Sequence, residues 1–138
     1  MKVLLDTNII MDALMERSPF DIEAKDILKR AQFGKELICY LTANTIADIF
    51  YLYSKAHNMK SAKSALNFLL AHYGVITVTQ NDCIYALSLP IDDFEDGLIM
   101  ACALSAGVDC IITRDHDFLK TTSPVKIIST RELINSFA

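Results

Sequence analysis

The sequence predicts an α/β fold in which a mostly parallel β-sheet is covered by helices on both faces. Short apolar, β-branched runs recur along the chain, and their hydrophobicity is continuous, which is typical of strands buried on both faces. Segments with helical periodicity separate these runs. Strands that alternate with helices form βαβ units with right-handed crossovers, so the sheet is expected to be mostly parallel.

Apolar runs predict five strands. They are expected at Lys2–Leu5, Leu37–Leu41, Val75–Val78, Asp109–Thr113 and Val125–Ile128. The first run is followed at once by Asp6, a residue type that favours the N-cap of a helix. A helix is therefore expected directly after the first strand.

The helix before the second strand has clear boundary signals. It follows Ser18-Pro19, has Asp21 in its first turn and ends before Gly34. One side of this helix carries apolar residues at helical spacing, namely Phe20, Ala24, Ile27, Leu28 and Ala31. These side chains are expected to face the core.

Two helices are predicted between the second and third strands. The first follows Thr42, and the second ends before Gly74. Their apolar stripes are Ile46, Ile49, Phe50 and Tyr53 in the first helix, and Met59, Ala62, Leu66, Leu69, Leu70 and Tyr73 in the second. Three further helices are predicted towards the C-terminus, from about Asp82 to near Pro90, from about Asp93 to Gly107, and after Ser129-Thr130.

The composition fits one globular domain that spans residues 1–138. The chain is 52% hydrophobic and 22% charged, and it contains no linker or repeat. Its 13 Lys and Arg against 17 Asp and Glu give a net charge of −4. Overall charge therefore cannot hold nucleic acid, and such a role needs a local feature of the surface.

The cysteines and histidines do not have the spacing of a zinc site. No CxxC pair occurs, and the three histidines lie apart from the cysteines, which are Cys39, Cys83, Cys102 and Cys110. The cysteines are interpreted as small buried hydrophobic side chains. No apolar run approaches the roughly 20 residues of a membrane span. A cytoplasmic protein without membrane association is expected.

Acidic residues follow two of the predicted strands. Asp6 follows the first strand, and Asp115 follows the fourth strand after Thr113 and Arg114. Ligands of open α/β sheets bind outside the carboxyl ends of the strands. The two carboxylates can converge there if the first and fourth strands are neighbours. The alternative interpretation is that Asp6 only caps the following helix.

A second group of acids begins the helix that leads into the fourth strand. Asp92, Asp93, Glu95 and Asp96 exceed what one helix end requires, because adjacent carboxylates repel. Asp48 lies in the second turn of its helix, off the apolar stripe, and alone would be interpreted as a solvated residue. If Asp6, Asp48, Asp96 and Asp115 shared a cleft, a divalent cation would have to offset their repulsion. Oxygen ligands without Cys or His favour Mg²⁺ or Mn²⁺ over Zn²⁺.

Other enzyme motifs are absent from the sequence. A P-loop or dinucleotide-binding fingerprint requires glycines after the first strand, and no glycine precedes Gly34. A serine nucleophile elbow is excluded as well, since no Gly-x-Ser-x-Gly occurs.

Three motifs in order resemble the PIN-domain family. They are Val3-Leu4-Leu5-Asp6-Thr7-Asn8, Asp93-Phe94-Glu95-Asp96 before a helix of small residues, and Ile111-Ile112-Thr113-Arg114-Asp115-His116-Asp117-Phe118. The resemblance covers the whole chain. PIN-domain proteins are Mg²⁺- or Mn²⁺-dependent ribonucleases and include the VapC-type toxins of bacterial toxin–antitoxin pairs. The resemblance implies a three-layer α/β/α, Rossmann-like PIN domain with a five-stranded sheet in the order 3-2-1-4-5.

The resemblance also assigns roles to individual residues. Its four catalytic acids match Asp6, Asp48, Asp96 and Asp115, and Asp6, Asp96 and Asp115 are the implied metal ligands. The family commonly has Glu where this chain has Asp48, which is one methylene shorter. Supporting roles are implied for Asn8, Glu95, Thr113 and Asp117, with Thr113 expected to hydrogen-bond the carboxylate cluster and Asp117 competing with Asp115 for the fourth place.

The leading functional expectation is an endoribonuclease that cleaves single-stranded RNA with Mg²⁺ or Mn²⁺ and serves as the toxin of a type II toxin–antitoxin pair. Arg114, beside Asp115, is expected to contact RNA. The resemblance further implies a homodimer and an antitoxin partner. The alternative is a non-catalytic PIN scaffold that acts as a binding module for protein or RNA. Asp48 distinguishes the two hypotheses, because an enzyme requires it to reach the metal.

Overall fold

The computed structural model describes residues 1–137 and contains a sheet of five strands: β1 (Lys2–Leu5), β2 (Ile38–Thr42), β3 (Gly74–Ile76), β4 (Cys110–Ile112) and β5 (Lys126–Ile128). All neighbouring strands pair in parallel, in the order β3-β2-β1-β4-β5. Both the α/β fold and the expected strand order are confirmed. Because β1 pairs with β4, Leu5 lies opposite Ile112 and the two strands end side by side.

Helices connect the strands within residues 1–137. They are α1 (Thr7–Leu14), α2 (Phe20–Phe33), α3 (Ala43–Ala56), α4 (Met59–His72), α5 (Gln80–Ser88), α6 (Phe94–Ala106), α7 (His116–Leu119) and α8 (Thr130–Asn135). The sequence predicted all of these except α7, and the bounds that it gave for α2, α5 and α6 lie within two residues of the observed ones. Helix α6 ends at Gly107, whose φ of 66° lies in the left-handed region that glycine adopts without strain.

The central strand explains why the apolar runs are continuous. Val3 and Leu5 pack into one hydrophobic cluster, together with residues of α1 and α2. Leu4 points to the opposite face and packs into a second cluster with residues of α6 and with Phe118. Successive strand residues face opposite sides of a sheet, and here both sides are covered.

Some residues of the predicted apolar stripes are exposed instead of buried. Phe20 is 47% exposed, Met59 68% and Leu70 52%. Ala24, Ile27 and Leu69 on the same stripes are buried as expected. Periodicity predicts the direction in which a helix face points, but it does not predict how far the partner surface extends along that helix.

Three of the four cysteines are buried, as the sequence interpretation expected. Cys39, Cys102 and Cys110 are buried free thiols, and Cys83 is half-buried. Burial raises the pKa of the Cys39 thiol to about 12, so it behaves as a small hydrophobic side chain. Across residues 1–137, no helix has the length and hydrophobicity that a membrane crossing requires.

Candidate active site

Asp6 lies where β1 ends, and both of its carboxylate oxygens accept hydrogen bonds. Oδ1 accepts from the backbone N–H of Thr7 at 2.8 Å, which caps α1. Oδ2 accepts from Oγ1 of Thr113 at 2.7 Å. The helix-cap interpretation of Asp6 is therefore correct, and the same side chain also contacts the end of the neighbouring strand.

Thr113 connects the ends of β1 and β4. It is fully buried, and its hydroxyl donates to Asp6 while accepting the backbone N–H of Asp115 at 3.1 Å. Asp115 in turn caps α7, since its Oδ1 accepts the N–H of Asp117 at 2.9 Å. The short helix absent from the prediction thus holds the loop that carries Asp115.

Asp93 organises the acidic start of α6. Its Oδ1 accepts the backbone N–H groups of Glu95 at 2.9 Å and Asp96 at 3.3 Å. Asp96 lies in the first turn and is 9% exposed. Asp93 was not among the predicted site residues, although it belongs to the acidic run at residues 92–96.

The pKa values show that these carboxylates share one electrostatic environment. Burial, followed by the charges of Asp93, Asp6, Asp115 and Glu95, raises the pKa of Asp96 to about 7. Burial also raises the pKa of Asp6, and Asp115 and Asp93 add to the effect, while the hydrogen bonds from Thr113 and Thr7 oppose it. The structure therefore brings Asp6, Asp96 and Asp115 together. We call Asp6, Asp93, Glu95, Asp96 and Asp115 the acidic cluster.

Asp48 lies at the edge of the acidic cluster. It is half-buried on α3, and its Oδ2 accepts a long hydrogen bond of 3.5 Å from Nδ2 of Asn44. Its charge contributes, after burial, to a raised pKa of Glu95. It is not among the charges that raise the pKa of Asp6 or Asp96. Glu95 therefore shares its electrostatic environment with Asp48, and a role of Asp48 as the fourth acid stays a prediction.

An acidic groove of about 280 Å³ opens beside the cluster. Asp117, predicted as a supporting residue, lines this groove with Asp115 and Asp96. Its other lining residues are Pro90, Ile91, Asp92, Asp93 and Thr121. Several carboxylates thus face the same open space, which is accessible to a ligand.

Asn8 follows Asp6 in the first turn of α1. Its Oδ1 is buried and accepts no hydrogen bond from any residue in the 1–137 segment. Most buried polar atoms in folded proteins have a partner. An unpaired amide oxygen two residues from Asp6 is a suitable acceptor for water on a bound Mg²⁺ ion, which keeps several waters when it binds to proteins.

The donor set fits Mg²⁺ or Mn²⁺, although the side chains are spread apart. Between residues 1 and 137, no three Asp, Glu, His or Cys side chains are close enough to form a ready-made metal site. In that segment, no salt bridge involves a carboxylate of the acidic cluster. Carboxylates without a countercharge repel one another, and oxygen donors alone suit Mg²⁺ or Mn²⁺.

Arg114 forms an ion pair with the buried Asp12, a residue that was not among the predicted site residues. Its Nε and Nη2 donate to the two oxygens of Asp12, which is 1% exposed on α1, and its Cζ lies 4.2 Å from the centre of the Phe20 ring. The partners Asp12 and Arg114 are 102 residues apart, so local sequence carried no signal for this pair. Contact of Arg114 with RNA stays a prediction.

Comparison with known proteins places this fold in a family. A family model for the PIN domain matches residues 2–117 of the chain. No curated protein sequence matches the chain significantly.

The fold is also similar to solved structures of bacterial toxin–antitoxin proteins. VapBC2 from Rickettsia felis, bound to a DNA fragment from its promoter, has a TM-score of 0.70 at 19% identity and covers 94% of this chain and 98% of its own. VapBC-1 from nontypeable Haemophilus influenzae has a TM-score of 0.69 at 21% identity, covering 95% and 99%. The sarcin-ricin loop cleaving toxin VapC20 from Mycobacterium tuberculosis has a TM-score of 0.67 at 16% identity, covering 84% and 92%. At these identities the likenesses establish the fold alone.

Proposed function

The chain belongs to the PIN domain family, and from this premise we propose that it is an endoribonuclease that cleaves single-stranded RNA with Mg²⁺ or Mn²⁺. We propose that residues 1–138 form a single nuclease domain. The observation that carries it is the acidic cluster, in which burial and the neighbouring carboxylates raise the pKa of Asp96 to about 7 and no carboxylate forms a salt bridge within residues 1–137.

The metal would be held by Asp6, Asp96 and Asp115. A metal bound there would supply positive charge against the carboxylates and Lewis-acid activation of water and of the phosphodiester. Thr113 fixes the orientation of Asp6 by donating to its Oδ2. Oδ1 of Asp6 accepts a hydrogen bond from the N–H of Thr7, so both carboxylate oxygens are oriented before a ligand binds.

The remaining acids are assigned supporting roles. Glu95 and Asp48 extend the cluster towards α3, and Asp117 extends it along the acidic groove. Asn8 contributes an amide oxygen that has no partner in the described chain. Asp48 is proposed as the fourth catalytic acid, because its charge acts on Glu95.

Cleavage of a labelled single-stranded RNA in Mn²⁺ tests the proposal. Asp6→Asn and Asp96→Asn should each abolish cleavage while the proteins remain folded, because each removes a charged oxygen donor and relieves repulsion. Asp26→Asn is the matched control, since Asp26 lies on α2 in a surface pair with Arg30 and is 40% exposed. If the wild type does not cleave RNA, the chain is better described as a non-catalytic binding module. If either site variant cleaves RNA at the wild-type rate, the assignment of the active site is wrong.

We propose further that this nuclease is the toxin of a type II toxin–antitoxin pair, acting in the cytoplasm as a homodimer. Support comes from the structural likeness to the VapBC proteins and to the sarcin-ricin loop cleaving toxin VapC20. Expression of the wild type should arrest bacterial growth, and Asp96→Asn should not. Co-expression of an antitoxin encoded beside the gene should restore growth. Arrest by the Asp96→Asn variant as well would contradict the toxin proposal.

A further inference from the structure

A second groove borders the segment 114–117, which also borders the acidic groove. Its volume is about 390 Å³. Asp115 and Asp117 line the acidic groove, whereas Arg114 and His116 line the second one, so alternate residues of the same segment face the two spaces. The other lining residues are Pro19, Phe20, Glu23, Leu119, Ser129, Thr130 and Arg131. We call this space the Phe20 groove.

Phe20 gives this groove an aromatic wall. The ring is 47% exposed, although its place on the apolar stripe of α2 predicted burial. The Arg114 guanidinium lies over the ring at 4.2 Å from its centre. A guanidinium stacked on an aromatic ring, itself fixed by a buried carboxylate, is a surface on which a nucleobase can stack.

Two arginines supply the groove with hydrogen-bond donors. Nε of Arg131 donates to Oε1 of Glu23 at 2.6 Å, and Oγ1 of Thr130 donates to Oε2 of the same carboxylate at 2.6 Å. Arg131 is 73% exposed. Because Glu23 holds Arg131 and Asp12 holds Arg114, both guanidinium groups are positioned in advance. Each guanidinium has five N–H donors, and only some of them face these carboxylates.

We propose that the Phe20 groove binds one nucleotide of single-stranded RNA, next to the phosphodiester in the acidic groove. The base would stack on the surface that Phe20 and Arg114 form together, and the phosphate of the same nucleotide would contact Arg131. This inference rests on the proposed function. A volume of about 390 Å³ lies within the range of ~300–1,000 Å³ typical of small-ligand pockets. It also supplies the local feature that a chain with a net charge of −4 needs to hold RNA.

The test measures RNA binding separately from cleavage. Fluorescence anisotropy of a short labelled single-stranded RNA is recorded in the Asp96→Asn background, which prevents cleavage. Phe20→Ala should weaken binding by about 5-fold or more, since stacking on an aromatic side chain contributes ~1–3 kcal/mol per base. Phe20→Tyr should retain binding because it keeps the ring. Arg131→Ala should weaken binding and lower the slope of log K against log salt by about 0.7, the value for one phosphate contact on a single strand.

Two matched variants control for general effects of the substitutions. Phe33→Ala removes another exposed phenylalanine of α2, and Arg30→Ala removes another exposed arginine from a surface pair. Both lie outside the Phe20 groove and should bind RNA like the parent.

The outcomes separate this proposal from the nuclease proposal. Parent-like binding by Phe20→Ala and Arg131→Ala, losses equal to those of the two controls, or no RNA binding by the parent would each overturn the nucleotide site. A selective loss in the Phe20 and Arg131 variants would support the site even if the wild type failed to cleave RNA, in which case only the nuclease proposal would fall.

Discussion

Arg114→Ala is expected to destabilise the protein strongly. The substitution leaves Asp12 buried at 1% exposure and removes two hydrogen bonds to its carboxylate. Loss of one partner from a buried ion pair costs about 3–5 kcal/mol. Arg17 lies 3.8 Å from Oδ1 of Asp12 and compensates in part, so the lower end of this range, about 3 kcal/mol, is expected. For a chain of 138 residues this corresponds to a fall in Tm of roughly 10 °C.

Urea unfolding of paired variants measures this effect. Arg131→Ala is the control, because Arg131 is 73% exposed and its pair with Glu23 should contribute only about 0–1 kcal/mol. The double variant with both Asp12→Asn and Arg114→Ala should recover part of the lost stability, because Asp12→Asn removes the buried charge that Arg114→Ala leaves unpaired. The reasoning would be refuted if Arg114→Ala lost no more stability than Arg131→Ala.

Three further predictions concern the acidic cluster. Mg²⁺ or Mn²⁺ should raise the Tm in thermal unfolding, because a hundredfold excess over Kd adds about 2.7 kcal/mol to the free energy of unfolding. An unchanged Tm would argue against a metal site. Because the pKa of Asp96 is raised to about 7, the folded metal-free protein holds a proton on Asp96 between about pH 4 and pH 7 that the unfolded chain has released. The free energy of unfolding in urea should therefore fall as the pH rises from about 4 to about 7, and it should fall more in the wild type than in Asp96→Asn. Equal pH profiles of the two proteins would contradict the raised pKa. Asp48→Glu should tighten Mn²⁺ binding in calorimetry or speed cleavage and Asp48→Ala should weaken both, whereas no response to either change would remove Asp48 from the site.

The fold could be predicted from sequence because its signals are local. The predicted β1 coincides with the observed Lys2–Leu5, and Thr42 caps α3 through the N–H of Thr45, as its position suggested. Helix α7 was not predicted because four residues are too short to show periodicity, and its start depends on the cap that Asp115 provides. The strand order came from the family resemblance, since alternation of strands and helices alone does not fix it.

Parts of the site could be predicted for the same reason, and others could not. Asp6 and Asp115 follow strands, and the pairing of β1 with β4 is enough to bring them together. The contact of Asp12 with Arg114 joins positions 102 residues apart, and the exposure of Phe20 depends on where α2 meets its neighbours. Long-range pairing and helix placement are properties of the packed structure, so neither leaves a pattern in the sequence.

The helix-cap and active-site interpretations of the acids, which the sequence presented as alternatives, both hold in the structure. Asp6, Asp93 and Asp115 cap α1, α6 and α7, each by accepting backbone N–H groups on one oxygen. The positive ends of the helix dipoles therefore lie beside the acidic cluster and offset part of its repulsion. Asn accepts the same N–H bonds at an N-cap nearly as well as Asp. An Asp6→Asn substitution thus keeps the cap but removes the charge and the oxygen that accepts the Thr113 hydroxyl, so a loss of cleavage in that variant reports on the carboxylate and not on the helix cap.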